Sequence, residues 1–248
     1  LGGIIGAAGG GYLGYKMGSV DPRYDTATKV ESGEANVIKR PVESTAKTET
    51  PAVAENTIEA TPEVAKGDTE GFAITPNDAS EIMWVGYKTV LGQKMSMKGG
   101  FANFSGKIVV KDNSPDESYV DVAIDIKSLF SESNILTGVL KTEIFFDAAN
   151  YPEAKFESSK IEPTADGYLV TGNLTMRGAT KGIQFPAKIE RQGDNVYVEA
   201  EFKINRKDWN IGYDAYEDAI VLEDVVLSFK ILAEPADPAE AAAEEAPR

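Results

Sequence analysis

The sequence predicts an all-β domain of about eight antiparallel strands, and two observations carry that prediction. From Gly71 onward, apolar and polar residues alternate with a period of two, most cleanly over 120–126, which is typical of strands with one dry and one wet face. Turn residues separate the alternating segments at short intervals, for example at 112–115 and 192–195, as they do in antiparallel sandwiches and barrels. Alternation alone does not distinguish between those two architectures.

Each alternating segment predicts one strand, and the connections predict little helix. The predicted strands are 81–86, 104–110, 120–126, 155–161, 170–176, 183–189, 196–204 and 225–231. A short helix is predicted over 131–142, and a second short helix around 145–150. Glycines inside the strands, at Gly86, Gly106 and Gly172, predict a bend, a bulge or a close approach to the backbone.

Composition divides the 248 residues into one globular domain with flanking tails. Both tryptophans and all ten phenylalanines lie within 71–233, a length that buries enough surface for one core. Residues 19–70 are rich in Glu, Thr, Ala and Pro and predict a disordered acidic linker. Residues 234–248 predict a disordered acidic tail.

The first 18 residues carry a glycine at every fourth position, from Gly2 to Gly18. Small residues at this spacing allow close approach of helices in lipid, and Lys16 lies where a flanking side chain would reach the headgroups. We expect 1–18 to be a truncated membrane anchor; a signal-peptide remnant and a soluble arm remain alternatives. An anchor followed by a long linker suits a bacterial periplasmic or extracytoplasmic protein tethered to the inner membrane.

The charge and the missing residue types exclude several functions. The net charge is −15 with no apparent basic stripe, so neither nucleic acid nor anionic lipid headgroups are expected to attract the chain. The chain has no cysteine and no histidine, which removes disulfides, thiolate metal sites and the Ser-His-Asp arrangement. We therefore predict no catalytic residues, no metal and no enzymatic activity.

Short motifs stand in a fixed order over 72–233. The most specific are Phe145-Phe146-Asp147, Tyr151-Pro152, Phe156-Glu157-Ser158 and the strand and turn at 170–178. Weaker motifs lie at 80–86, 99–106, 125–129, 204–212 and 222–227, and the whole set resembles the YceI-like family. One departure is Val139-Leu140-Lys141, because many relatives have a histidine at the first of these positions. The polar end of any ligand is therefore expected to be held differently here.

The resemblance implies a closed, eight-stranded, lipocalin-like barrel that holds a polyisoprenoid. The implied function is non-catalytic binding, sequestration or transport of an amphiphilic polyisoprenoid lipid, a quinone or an isoprenyl carrier, with no other cofactor. The expected partners are that lipid, a membrane contacted through the N-terminal segment, and a second copy in a homodimer, but no nucleic acid. The alternatives are an enzyme acting on an isoprenoid-type lipid inside the same barrel, and a solid-core scaffold tethered to a membrane.

Alternation also predicts which side chains face inward, as either a filled core or the wall of a tunnel. The candidate ligand-binding residues are Trp84, Phe101, Phe104, Val122, Ile124, Phe146, Tyr168, Leu174, Met176, Phe185, Phe202, Arg206, Trp209 and Phe229. Phe146 is expected to enter the barrel and Phe145 to pack beneath the following loop, because neighbours in an extended chain face opposite ways. Arg206, predicted within a strand, either pairs with Asp208 or donates to a quinone oxygen or phosphate.

Overall fold

The computed structural model describes residues 69–111, 117–213, 215–216 and 219–236, together with Thr28–Lys29. Its strands are β1 Thr28–Lys29, β2 Thr69–Ile74, β3 Glu81–Val90, β4 Gln93–Phe101, β5 Phe104–Lys111, β6 Tyr119–Asp125, β7 Leu129–Ser131, β8 Glu153–Thr164, β9 Gly167–Met176, β10 Ala179–Gln192, β11 Asn195–Asn205, β12 Ala215–Tyr216, β13 Ala219–Val221 and β14 Asp224–Pro235. Helix α1 covers Asn134–Leu140, and short 3-10 helices cover Ile126–Ser128 and Arg206–Trp209.

The sheet closes into an antiparallel barrel of eight long strands, as the resemblance implied. Three of these long strands are each formed by two consecutive shorter ones, β2 with β3, β4 with β5, and β6 with β7, and the circuit continues through β8, β9, β10, β11 and β14. Strand β14 completes the ring, since Glu234 pairs with Ala73 of β2 while 226–230 pair with 81–85 of β3. The prediction of an eight-stranded barrel with a short helix is confirmed.

The connections between strands gather at two ends of the barrel. One end, called the helix end below, carries the β3–β4 turn, α1 with loop 141–152, the β9–β10 turn and the described parts of 206–223. The other, called the turn end, carries the β5–β6, β8–β9 and β10–β11 connections. The helix end therefore holds the longer and more varied structure.

Helix α1 is shorter than predicted, and the second predicted helix at 145–150 does not form. The Oγ of Ser133 accepts a hydrogen bond from the backbone N–H of Leu136 and caps α1. Over 145–150 the chain makes successive turns, and Asp147 has a left-handed φ of 49°. The carboxylate of Asp147 accepts from Nδ2 of Asn150 at 3.0 Å, a local bond that competes with helix formation.

Two further expectations need correction, and one lies outside the described residues. Arg206 is not within a strand: it begins the 3-10 helix that follows β11. Some residues of the predicted linker and tail belong to the sheet: β2 begins at Thr69, β14 runs to Pro235, and Thr28–Lys29 pair with β10. The predicted anchor at 1–18 lies outside the described part of the chain; within that part, no helix has the length and apolarity to cross a membrane.

Candidate functional site

The register of the strands aligns the apolar side chains of the inner face into rows. In one row Val122 of β6 lies opposite Phe156 of β8, which lies opposite Leu174 of β9. In another, Leu227 of β14 lies between Phe202 of β11 and Trp84 of β3. Because side chains alternate between faces, every second residue of each strand enters the barrel.

These rows enclose a cavity of about 170 Å³ that extends along the barrel. Its wall includes Ile108, Ile189 and Ile231 toward the turn end, and Met97, Leu140 and Val221 toward the helix end. Inward-facing Val122, Ile124 and Leu227 remain only partly buried, because they border this space on one side while they pack against the core on the other. An engineered apolar cavity of about 150 Å³ takes up benzene, so a space of this size is large enough for an apolar ligand to enter.

The cavity wall is almost entirely apolar. Of the 36 residues that line it, only Trp84, Tyr87 and Arg206 have side chains containing nitrogen or oxygen. In the described ranges, no group of three or more acidic side chains is arranged to hold a metal ion. The wall therefore favours binding of an apolar ligand. Its three polar side chains include no pair suited to acid-base or nucleophilic chemistry.

Aromatic rings form two clusters along the cavity. Phe185 and Phe202 stack with ring centroids 4.2 Å apart, and Phe229 meets both edge-on at 5.9 and 5.4 Å. Phe156 adds a fourth ring, 5.4 Å from Phe185. Nearer the helix end, Phe101 and Phe146 meet edge-to-face at 6.0 Å. All four rings of the first cluster line the cavity.

Arg206 is buried, and its guanidinium holds several loops together at the helix end. Its Nε donates to the carbonyl of Leu222 at 3.0 Å, and its Nη2 donates to the carbonyls of Tyr213 and Val221 at 2.6 and 2.9 Å. Its Nη1 donates to the carbonyl of Ile211 at 2.5 Å. These bonds favour the structural role among the alternatives for Arg206, since its donors are directed at backbone carbonyls.

Most of the predicted site residues lie on the cavity wall, but three do not. The wall contains Trp84, Phe101, Val122, Ile124, Phe146, Leu174, Met176, Phe185, Phe202, Arg206 and Phe229. Phe104 and Trp209 are buried in the core outside it, and Tyr168 packs against that core. The indole Nε1 of Trp209 donates a hydrogen bond to the carbonyl of Leu174 at 2.9 Å, which ties the 3-10 helix at Arg206–Trp209 to β9.

Phe145 does not follow the prediction that it faces away from the barrel. Both Phe145 and Phe146 line the cavity, because they lie in a turn where neighbouring side chains need not point in opposite directions. Phe145 also contacts the ring of Tyr213, with centroids 5.3 Å apart. Leu140 of α1 follows Val139, the position at which many relatives have histidine, and contributes an apolar side chain to the same wall.

Sequence reasoning missed several wall residues, although the signal for some of them was present. Val225, Leu227 and Ile231 alternate with polar residues in β14 in the same way as Phe229, and Ile204 does so in β11. Met97 had no comparable signal, because its strand reads as a polar, glycine-rich segment at 93–101.

The strand glycines differ in what surrounds them. A Cβ at Gly172 would lie 2.5 Å from the carbonyl oxygen of Glu157 and 2.6 Å from the ring of Phe156, so Gly172 permits close packing. Gly86 is different: a Cβ there would lie 3.8 Å from Trp84 and 3.9 Å from Met97, which is ordinary contact. Because Gly86 faces the cavity, its missing side chain adds open space.

The closed circuit of strands and its apolar interior define a small β-barrel with an apolar internal cavity. Family comparison then identifies it: the profile of the YceI-like domain matches residues 72–233, so the chain belongs to the YceI-like family. A UPF0312 protein of Yersinia pestis (strain Pestoides F) is 33% identical over 122 residues, which cover 47% of this chain and 64% of that protein. A UPF0312 protein of Photorhabdus laumondii shows the same identity and coverage. The chain thus spans slightly less than two thirds of the curated relatives it matches.

Solved structures show the same fold. BcnA of Burkholderia cenocepacia is 25% identical, with a TM-score of 0.56 over 62% of this chain and 96% of that one. A polyisoprenoid binding domain from Saccharophagus degradans, described as implicated in plant cell wall breakdown, has a TM-score of 0.50 and 15% identity, covering 66% of this chain and 98% of that one. The second similarity concerns the fold alone.

Proposed function

We propose that the barrel binds one amphiphilic polyisoprenoid lipid, a quinone or an isoprenyl carrier, and sequesters or transports it without changing it chemically. The observation that carries this proposal is the long cavity in which 33 of the 36 wall residues have purely apolar side chains. Moving an apolar chain from water into such a space contributes about 0.8 kcal/mol per buried CH₂. Specificity for the chain's shape would come from the aromatic rings that line the interior.

The polar head of the ligand is expected to lie outside the apolar interior, at the helix end. Arg206 directs its donors to carbonyls, and Lys141 donates its Nζ to the carbonyl of Lys127 at 2.7 Å. No histidine is present anywhere in the chain to bind a head group. A ligand held mainly by its apolar chain fits these surroundings better than one held by a charged head.

The similarity to a protein named as a polyisoprenoid binding domain supports a polyisoprenoid as the apolar chain. The enzymatic alternative requires an inward-facing polar pair, and the wall provides only Trp84, Tyr87 and Arg206. The scaffold alternative requires Trp84, Phe104 and Phe202 to interdigitate without a continuous void, and the observed cavity favours binding over it. Attachment to a bacterial inner membrane through 1–18 stays part of the proposal on the sequence evidence.

The two tryptophans provide a direct test, because Trp84 lines the cavity and Trp209 does not. In a Trp209→Phe variant, a quinone with an isoprenoid tail should quench the remaining Trp84 fluorescence saturably. In the matched Trp84→Phe variant, the same quinone should quench Trp209 much less. An isoprenyl phosphate and a straight-chain fatty acid, added as competitors, would separate a preference for isoprenoid chains from general lipid binding. Linear, non-saturating quenching of both variants would contradict the proposal.

A further inference from the structure

The exposed apolar side chains of the barrel are concentrated at the helix end. Among the described residues, eight large hydrophobic side chains are exposed; seven belong to segments of the helix end, and the eighth, Phe130, lies in β7 just before α1. Leu91 and Met95 lie in the β3–β4 hairpin, Ile135 and Val139 lie in α1, and the others lie in β7, loop 141–152 and β13. Leu91 and Ile135 are each 81% exposed. Scattered apolar residues on a surface are ordinary, but their concentration at one end is not.

Leu91 occupies a position that the turn itself does not favour for leucine. It has a φ of 48°, and Gly92 after it has a φ of 79°, as in a two-residue hairpin turn of the mirror-image type. Asn, Asp and Gly are the residues that adopt this conformation readily, whereas a bulky apolar residue is strained in it. The leucine therefore costs the hairpin some stability while placing an apolar side chain at its tip.

Lysines surround this apolar tip, and no acid accompanies them along the hairpin. Residues 82–111 contain five lysines and no aspartate or glutamate, in a chain of net charge −15. Lys88 and Lys94 flank the tip, and Nζ of Lys94 lies 4.3 Å from the ring centroid of Tyr87, whereas Lys98 lies farther along β4, opposite Val85. The hairpin thus has a local excess of lysine, although the chain as a whole is acidic.

The same end leads into the cavity. Tyr87 and Met97, at the base of the β3–β4 hairpin, line the cavity, as do Leu140 at the end of α1 and Val221 of β13. Val221 also pairs with Lys88, so the cavity wall and the basic hairpin meet at adjoining positions. Acidic residues occur at both ends, with Asp166 and Asp194 in turns of the turn end and Glu143 and Asp147 in loop 141–152 of the helix end, so the lysine excess is a property of the β3–β4 hairpin alone.

We propose that the helix end docks on the surface of an anionic lipid bilayer. The apolar tips of the hairpin and of α1 enter the headgroup region, Lys88 and Lys94 contact anionic headgroups, and Lys98, farther along β4, adds to the positive potential of the hairpin. This orientation presents the adjoining end of the cavity to the bilayer, so that an apolar ligand exchanges with the membrane through it. The proposal rests on the proposed function for the nature of the ligand, but it is distinct from attachment through 1–18.

Site-specific labelling separates this docking from any contact made by the N-terminal segment. The chain has no cysteine, so Leu91→Cys provides one attachment point for an environment-sensitive fluorophore. Vesicles of equal parts phosphatidylcholine and phosphatidylglycerol should shift the emission of this probe to the blue. A probe attached through Asp194→Cys, in the β10–β11 turn, should not shift. Equal shifts at both positions, or no shift at residue 91, would overturn the proposal.

Unlabelled variants of the full chain test the two contributions to docking. Leu91→Asn suits the left-handed turn and should weaken vesicle binding about tenfold without loss of folding, whereas Leu91→Met should retain it. Replacing Lys88, Lys94 and Lys98 by Gln should weaken binding about a hundredfold at low salt. The charge-matched control replaces the exposed Lys160, Lys188 and Lys230, which lie elsewhere on the outer wall. Equal losses in the two lysine sets would overturn the proposal.

The ligand is measured in the same samples, so the two proposals fail separately. If the quinone still quenches Trp84 but residue 91 never senses the vesicle, docking is wrong and ligand binding stands. If residue 91 enters the bilayer but the quinone does not bind, the docking surface stands without the proposed ligand.

Discussion

A larger side chain at Gly86, which faces the cavity, distinguishes two interpretations of the cavity: a binding site for a ligand, or a poorly packed core that binds nothing. A Cβ added there meets only Trp84 at 3.8 Å and Met97 at 3.9 Å, so Gly86→Val is expected to fit without moving the backbone. Val is preferred over Gly in strands by up to about 1 kcal/mol, and part of its apolar surface becomes buried in the cavity. We expect the free energy of unfolding of the ligand-free protein to rise by about 1–2 kcal/mol.

Ligand binding should change in the opposite direction. The added side chain displaces about three carbon atoms of ligand, which at ~0.8 kcal/mol each corresponds to about 2.4 kcal/mol, or a roughly 60-fold weaker affinity. The assay pairs urea unfolding of the delipidated protein with the fluorescence titration of a prenylated quinone, and Gly86→Ala should give intermediate values. In the control, Gly138→Ala on exposed α1 should also stabilise, by about 0.8–1.0 kcal/mol, and leave affinity unchanged. A stable Gly86→Val protein with wild-type affinity would refute the assignment of the cavity as the binding site.

Three further changes, all read by urea unfolding, test the supporting structure. Arg206→Met should lower the free energy of unfolding by about 3–5 kcal/mol, because four backbone carbonyls lose the buried guanidinium that donates hydrogen bonds to them. Unchanged stability together with weaker ligand binding would instead assign Arg206 to the ligand. Trp84→Phe should lower the free energy of unfolding by less than about 1 kcal/mol, because relief of the buried Nε1, which has no hydrogen-bond partner within the described ranges, offsets part of the lost ring packing; a loss above about 2 kcal/mol would contradict that offset. Gly106→Ala should lower the free energy of unfolding by about 2–3 kcal/mol, because the new Cβ would overlap the carbonyl oxygen of Asp121. Wild-type stability would show that β5 and β6 can move apart at little cost.

Alternation along the sequence predicted a segment of each of the eight long strands and most of the inner face, but not β2 or β4. Val122, Ile124, Phe185 and Phe229 were all predicted to face inward and do so, because a barrel closed around one interior gives each strand a single apolar side. The rule fails where the chain leaves regular strand geometry. Phe145 enters the cavity from a turn whose left-handed residue, Asp147, carries no periodic signal.

The difference between core and cavity could not be predicted, because it depends on how side chains from distant strands meet. Phe104 and Phe202 both follow the inward alternation, yet Phe104 packs into the core while Phe202 borders the void. The roles of the strand glycines diverge for the same reason: Gly172 is fixed by the cross-strand neighbours Glu157 and Phe156, and Gly86 by the lack of any close neighbour. The surroundings of each glycine and phenylalanine depend on which strands pair, and the sequence of a single strand does not contain that information.

Native mass spectrometry of the full chain, purified without detergent, tests the central claim most directly. The wild-type protein is expected to carry one non-covalent adduct of several hundred daltons that fragmentation identifies as a polyisoprenoid, and Gly86→Val is expected to carry it at much lower occupancy. A wild-type protein that is empty as isolated, and that stays empty after incubation with a prenylated quinone and with an isoprenyl phosphate, would contradict the claim.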